Sequence, residues 1–465
     1  LQGASSALRA NLGGSLRWRG VAIGGRRAAA APASRGVPAH PGASRLDLRA
    51  RGRDHPVMDP VRAQYEAYPY PERDPADEAR RLIVGSPSHP QEIDHFLFRG
   101  RRDWSRPFRA LVAGGGTGDG LIMLAQLLAD AGCPAEITYL DLSEASRAVA
   151  QARAAARGLT SIDFRTGDLL EAPRLAEAGG PFDYIDCCGV LHHLPDPQAG
   201  FDALSAALAE DGGLGLMVYA PWGRTGVYPL QEALRVLSAG EAPEAKLRVA
   251  QAVLESLPES NWFGRNPLLS DHRASDAGLY DLLLHDRDRP FTLEALCEAL
   301  QSAGLGLVSV LEPARYDPAR LLPATEDMRA RLKALSQAER WALGERLAGD
   351  IRLHVVYAAK SARAGKAMAG LAPDAVPRLA VDPRALAKRA AERGDLRISY
   401  GARAIDLTFD KRAAPLIARL GDGRPLGDLA RAAGLDWLAY AQALGPAARE
   451  LTAVNLLRFS QGVPS

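Results

Sequence analysis

A chain of 465 residues has room for two domains, or for one large domain with an appended module. The composition is globular, and no stretch approaches the roughly 20 apolar residues of a membrane span, so no membrane partner is expected. The net charge of +2 is uneven: residues 1–57 carry ten Arg, no Lys, two Asp and no Glu, and the rest has 47 basic against 53 acidic residues, a balance of −6. Such a body offers no general attraction for nucleic acid.

Residues 1–57, rich in Arg, Ala, Gly and Ser, read as a disordered extension with Met58 as the true start, although their composition superficially resembles an organelle transit peptide. Residues 58–107 form an N-terminal segment: a short helix after Asp59 with Pro60 at its first position, then the tyrosines Tyr65, Tyr68 and Tyr70. These rings either pack the segment onto the body or close over a site as a lid. From 108 to 360 strand and helix patterns alternate, the signature of a doubly wound, mostly parallel α/β sheet. Strands are expected at Ala110–Ala113, Glu136–Asp141, Ser161–Arg165, Phe182–Cys187, Leu214–Ala220, Leu305–Val310 and Leu353–Ala359. Helices fall at about 118–131, after the Ser143 cap, near 197–210, at 292–304 and over 324–349. An insertion at 221–290 lies where such sheets bind ligands. Residues 361–380 read as a linker, and 381–465 as a small, mainly helical module whose pattern resembles a winged helix. From Val376 onward there are 14 basic and 9 acidic residues, an excess too small to favour DNA over packing or homodimer formation. The cysteines Cys133, Cys187, Cys188 and Cys297 have no framework spacing, which fits a reducing cytoplasm.

The chemistry starts at Leu111-Val112-Ala113-Gly114-Gly115-Gly116-Thr117-Gly118-Asp119-Gly120, a strand, a tight turn and a helix start. Glycines serve there because the turn needs unusual backbone angles and a ligand must approach the main chain closely. Gly114, Gly116 and Gly118 fit G-x-G-x-G; the third glycine of a dinucleotide fingerprint would fall on Asp119 or Leu121, and no P-loop lysine is present. The stretch resembles the first motif of the class I methyltransferases that use S-adenosylmethionine (SAM). Phe182–Pro197, a strand followed by Val-Leu-His-His-Leu-Pro, resembles the family's fourth motif, and Asp211-Gly-Gly completes an ordered set. One departure stands out. Most of the family has an acidic residue two positions before the first glycine, near the methionine ammonium, and this chain has Val112.

The resemblance implies a seven-stranded Rossmann-like fold, SAM as cofactor, and methyl transfer to an acceptor, a small molecule ahead of protein or RNA. A SAM-binding regulatory protein with the C-terminal module as its output is the alternative. Gly114, Gly115, Gly116 and Gly118 would bring the backbone to the cofactor. Asp141, with Leu142, would take the ribose hydroxyls as a charge-assisted acceptor. Asp168 and Leu169 would meet the adenine, and Cys188 and Gly189 the methionine half. No metal is expected from Cys187, Cys188, His192 and His193, because neighbours on a strand face opposite ways and zinc-type spacing is missing. A base is needed only if the acceptor holds its proton at neutral pH; His193 and Tyr219 are the candidates. Tyr65, Tyr70, Trp222, Arg224 and Tyr228 are the candidate acceptor-binding residues, with Arg224 either holding an acidic group or forming a surface or interhelical ion pair.

Overall fold

A computed structural model describes residues 60–401 and 403–462, so the expectation for residues 1–57 lies outside the described residues. Helix α1 (Pro60–Ala67) begins on a proline, whose missing N–H costs nothing in a first turn. Helix α2 (Pro90–Leu97) is buried along its whole length. Alternation then follows: β1 (Phe108–Ala113), α3 (Asp119–Asp130), β2 (Ala135–Asp141), α4 (Glu144–Ala156), β3 (Ile162–Thr166), α5 (Ala172–Gly179), β4 (Phe182–Cys188), α6 (Pro197–Ala207) and β5 (Leu208–Tyr219). Side-chain caps set the helix starts: Ser143 accepts from the Ser146 amide, and Asp196 from Gln198 and Ala199.

The insertion holds α7 (Val227–Leu237), α8 (Pro243–Ser256) and α9 (Asp276–Leu279), which runs into a π-turn over Tyr280–Leu284. It has an apolar core of its own, built on Val227, Leu230, Leu234, Phe263 and Leu283. The sheet is completed through α10 (Leu293–Ser302), β6 (Leu305–Val310), α11 (Glu326–Lys333), α12 (Gln337–Ala348) and β7 (Leu353–Lys360). Seven strands pair in the order β3-β2-β1-β4-β5-β7-β6, with β7 antiparallel to both neighbours. This is the doubly wound, mostly parallel sheet the alternation predicts. Each face carries a core, one built on Leu111, Ile185, Leu214 and Val356, the other on Ala110, Val112, Leu121 and Tyr184. The strand order reverses between β1 and β4, so the crevice for a ligand opens at their carboxyl ends.

Three boundaries differ from the sequence reading. Helix α6 stops at Ala207, and β5 begins at Leu208 rather than Leu214. A register shift between Phe182 and Tyr184 lets Asp211-Gly-Gly stay in the strand, and a side chain at Gly212 would sit 2.8 Å from the Phe182 carbonyl oxygen. The stretch 361–380, read as a linker, contains α13 (Ser361–Ala367) and β8 (Pro377–Leu379), with Ala364, Ala367 and Ala369 buried. It is pinned by Arg363, which donates to the carbonyls of Gly212 and Leu97.

The remaining elements are α14 (Pro383–Glu392), β9 (Asp395–Tyr400), β10 (Arg403–Thr408), α15 (Ala414–Ile417), α16 (Leu426–Ala432), α17 (Trp437–Ala453) and β11 (Leu457–Phe459). Strand β10 pairs with β9, whereas the final strand β11 pairs with β8. The two therefore do not share one sheet, as the wing of a winged helix would require. Among the described residues, no helix is long and apolar enough to cross a membrane.

Candidate active site

The glycine loop turns off β1 with Gly114 at φ 70° and Gly116 at φ 50°, angles that favour glycine. Side chains are also excluded by space: a Cβ on Gly114 would lie 2.3 Å from Val190, and one on Gly116 2.8 Å from the Tyr70 carbonyl oxygen. Gly118 forms the left-handed cap of α3, and Gly115 lies under the Tyr139 ring. Asp141, at the end of β2, accepts from the Gly116 amide at 2.8 Å and from the Ser143 amide at 2.9 Å. Each oxygen keeps a lone-pair site for a further donor. Burial raises the carboxyl above its usual range, and the two amides pull it back. Leu142 follows, half-buried.

The N-terminal segment lies across this loop. Ser143 donates to the Tyr65 carbonyl at 3.1 Å, and Thr117 to the Pro71 carbonyl at 2.6 Å. Arg73 grips both oxygens of Asp119 at 2.8 and 2.6 Å, and Arg153 adds a third bond at 2.8 Å. Burial opposes ionisation of Asp119, but the two guanidinium groups hold its carboxyl below the ordinary range.

Asp168 caps a 3₁₀ turn, accepting from the Leu170 amide at 2.9 Å, while Glu171 accepts from the Asp168 amide. Leu169 is buried beside it. At the end of β4, Cys188 is half-buried, and Gly189 takes φ 83° with its amide bonded to the Met217 carbonyl at 3.0 Å.

Beyond β5 the predicted acceptor residues converge, with one exception. Tyr219 donates to Asp281 at 2.9 Å, and Tyr65 donates to the other oxygen of the same carboxylate at 3.1 Å. His285 Nε2 lies 3.4 Å from the Tyr65 hydroxyl, and its ring stacks on His193 with centroids 3.7 Å apart. His193 Nδ1 meets the Arg287 carbonyl at 2.6 Å, which makes it the protonated nitrogen and leaves Nε2 with the lone pair. His192 lies fully buried under Tyr219, and among the described residues neither of its ring nitrogens has a partner. Burial, then the neighbouring His193, pushes His192 and His285 well below the usual imidazole range, so both are neutral. Burial also raises Asp281, and it lifts the hydroxyls of Tyr65 and Tyr219 together with the Asp281 charge. Tyr70 is raised by the same two causes, so Asp281 acts on it as well.

Arg224 forms an ion pair, as one of its two readings has it, but the pair is buried rather than at the surface. It is bonded to Asp288 at 2.8 Å and to the Tyr228 hydroxyl at 3.0 Å, with its guanidinium 3.7 Å from the Tyr219 ring centre. Trp222 is the exception. It points away, 42% exposed, into a separate groove of about 350 Å³ shared with Trp262, Arg265 and Asn266.

Sequence reading missed Asp281, His285 and Asp288. The signal was present in Tyr280-Asp281-Leu-Leu-Leu-His285, where two polar residues four apart interrupt an apolar run. His193, Asp281 and His285 each bring a potential ligand atom within 4.8 Å of the others. His285 Nδ1 accepts from the Arg287 amide at 3.1 Å, however, which puts its proton on Nε2 and makes that nitrogen a donor rather than a metal ligand.

Fold, loop and strand-end carboxylate together define a class I SAM-dependent methyltransferase. The family model described as a methyltransferase domain matches residues 111–214. The chain belongs to this family, and it is an enzyme of that kind. An uncharacterised protein of Synechococcus sp. is 31% identical over 302 residues, which span 63% of this chain and 70% of the relative. A ubiquinone biosynthesis O-methyltransferase of Marinobacter nauticus is 32% identical over 104 residues, 22% of this chain and 41% of that enzyme. Among solved structures, PKMT2 from Rickettsia typhi in complex with AdoHcy aligns with a TM-score of 0.56 at 13% identity, covering 81% of this chain and 76% of that one. That likeness shows the fold alone.

The loop fits the cofactor: its glycines leave the space a Cβ would fill, and Asp141 is already oriented by two amides. When bound, SAM supplies an electrophilic methyl on a positively charged sulfur.

Proposed function

We propose that the enzyme methylates a small-molecule amine in the chamber closed by Tyr65, Tyr70, Tyr219, Asp281, His193 and His285. The carrying observation is Asp281, a buried carboxylate that receives two tyrosine hydroxyls while the nearby Arg224 is committed to Asp288. A buried carboxylate without its own cation favours a cationic ligand, and tyrosine rings around it favour the same. An ammonium group is not a nucleophile until a proton leaves. His193 Nε2, held as the lone-pair nitrogen by the Arg287 carbonyl, is the group that takes it.

In the same reading, Asp141 with Leu142 holds the ribose hydroxyls, Asp168 and Leu169 flank the adenine, and Cys188 and Gly189 line the methionine half. Tyr228 and Arg224 brace Tyr219, and the described part of the N-terminal segment, from Pro60 to Pro107, supplies the cover, with the C-terminal module as an accessory part. Asp281, His193 and His285 are buried, which supports a small acceptor over a protein or RNA.

The test is transfer of labelled methyl from SAM to a panel of amines, phenols and carboxylates, with wild type and Asp281→Asn. Labelled amine products are expected. In the variant, acceptor kcat/KM should fall about 100-fold or more, as for loss of a buried charged contact, while AdoHcy binding stays within about twofold, within the error of independent sites. Label found only on phenols or carboxylates would overturn the amine reading and leave the methyltransferase assignment standing.

A further inference from the structure

We propose that Asp186, on β4, replaces the carboxylate that β1 lacks at Val112 and binds the α-ammonium of the cofactor's methionine half. In the parallel pairing of β1 and β4, Asp186 is the register partner of Val112, so the missing acid reappears one strand over at the same level. It is 2% exposed, and among the described residues its Oδ1 has no partner. Its Oδ2 accepts from Ser88 Oγ and lies 2.6 Å from where a Cβ on Gly120 would be, in the first turn of the helix that leaves the glycine loop.

Asp186 therefore faces the loop's own helix, and Gly120 makes the room. The other carboxylates beside the loop are engaged: Asp119 by Arg73 and Arg153, and Asp141 by the amides of Gly116 and Ser143. Among the described residues, the hydrogen-bond donor to Asp186 is the neutral Ser88 hydroxyl. A buried carboxylate with one neutral donor is costly unless a cation completes it. Its field already reaches the end of the strand, where burial and then Asp186 push the Cys188 thiol up. Burial likewise raises Asp186 itself to about 6, and a bound ammonium would bring it down.

The experiment is calorimetric titration of the full chain with AdoHcy and with its analogue carrying hydrogen in place of the α-amino group. Wild type should prefer AdoHcy by at least about tenfold, the scale of one charged hydrogen bond. Asp186→Asn should lose that preference by weakening AdoHcy alone, and Val112→Asp in the Asp186→Asn background should restore it. Equal wild-type affinities, or an Asp186→Asn protein that keeps the preference, would overturn the assignment. If Asp186→Asn does not fold, Gly120→Ala carries the test, since alanine favours the helix while its Cβ displaces Oδ2. A preference reduced severalfold supports the proposal, and an unchanged one overturns it.

Discussion

Arg224 is a charge with its partners already inside the molecule: Asp288, the Tyr228 hydroxyl and the face of Tyr219. Burial works against its charged form, yet Asp288 leads the groups that hold its pKa above the ordinary arginine range. Removing the guanidinium would leave Asp288 buried and uncompensated, a loss of roughly 3–5 kcal/mol. Arg224→Ala is therefore expected to shift the urea midpoint strongly. The paired change Arg224→Met with Asp288→Leu should recover most of that stability while acceptor turnover stays low. An Arg224→Ala protein of full stability with only a raised acceptor KM would instead mean that the side chain is free to hold substrate. The sequence placed Arg224, Tyr219 and Tyr228 beside the right strand, because strand ends and the turn after them are local features. Asp288 was out of reach, since the pair spans 64 residues of an insertion whose path only packing decides. For the same reason Trp222, adjacent in sequence, ends on another surface.

The N-terminal segment acts through contacts to the glycine loop and to α3. Arg73 is the latch, and Asp119 keeps Arg153 when Arg73 is lost, so Arg73→Ala strands no buried charge. The variant should keep its melting temperature within a few degrees, yet release AdoHcy about tenfold faster, the rate equivalent of about 1.4 kcal/mol. Stopped-flow displacement would measure this; an unchanged off-rate would mean that the segment packs but does not cover. At this scale the sequence was most informative where glycine, proline or a capping side chain punctuates the chain, as at Pro60, Gly118 and Ser143. It misled where one signal has two meanings. Asp211-Gly-Gly reads as a turn but is taken up by a bulge within β5, and β9, with its alternating Leu396 and Ile398, was hidden behind an arginine-rich run.

Across the whole molecule, α2 joins the catalytic sheet to the C-terminal elements. Glu92 accepts from Tyr357 of β7 at 2.9 Å and from Asn455 at 2.8 Å, and Arg458 lies 2.8 Å away. Asp94 accepts from Ser460 at 2.7 Å and from the Gln461 amide at 3.1 Å, and His95 Nδ1 accepts from the Phe459 amide at 3.1 Å. These last two neighbours titrate with opposite consequences. Burial raises Asp94 from 3.8 to about 6, so its contribution is full below the unfolded value and lost as pH rises through about 6. Burial and the charge of Arg458 lower His95 from 6.5 to about 3, so its contribution is full above 6.5 and lost as pH falls toward 3. Between pH 6 and 4 the two slopes, each about 1.4 kcal/mol per pH unit, nearly cancel. Asp94→Asn should expose the histidine slope, with stability falling on acidification by about 1.4 kcal/mol per unit relative to wild type. His95→Gln should expose the opposite slope, with stability rising by a similar amount. Urea unfolding of the three proteins across this range reads the difference directly, because every other titrating group is common to them. Parallel slopes would mean that the contact between α2 and the C-terminal elements opens without unfolding the sheet. Slopes that diverge with opposite signs would mean that the sheet and those elements unfold together.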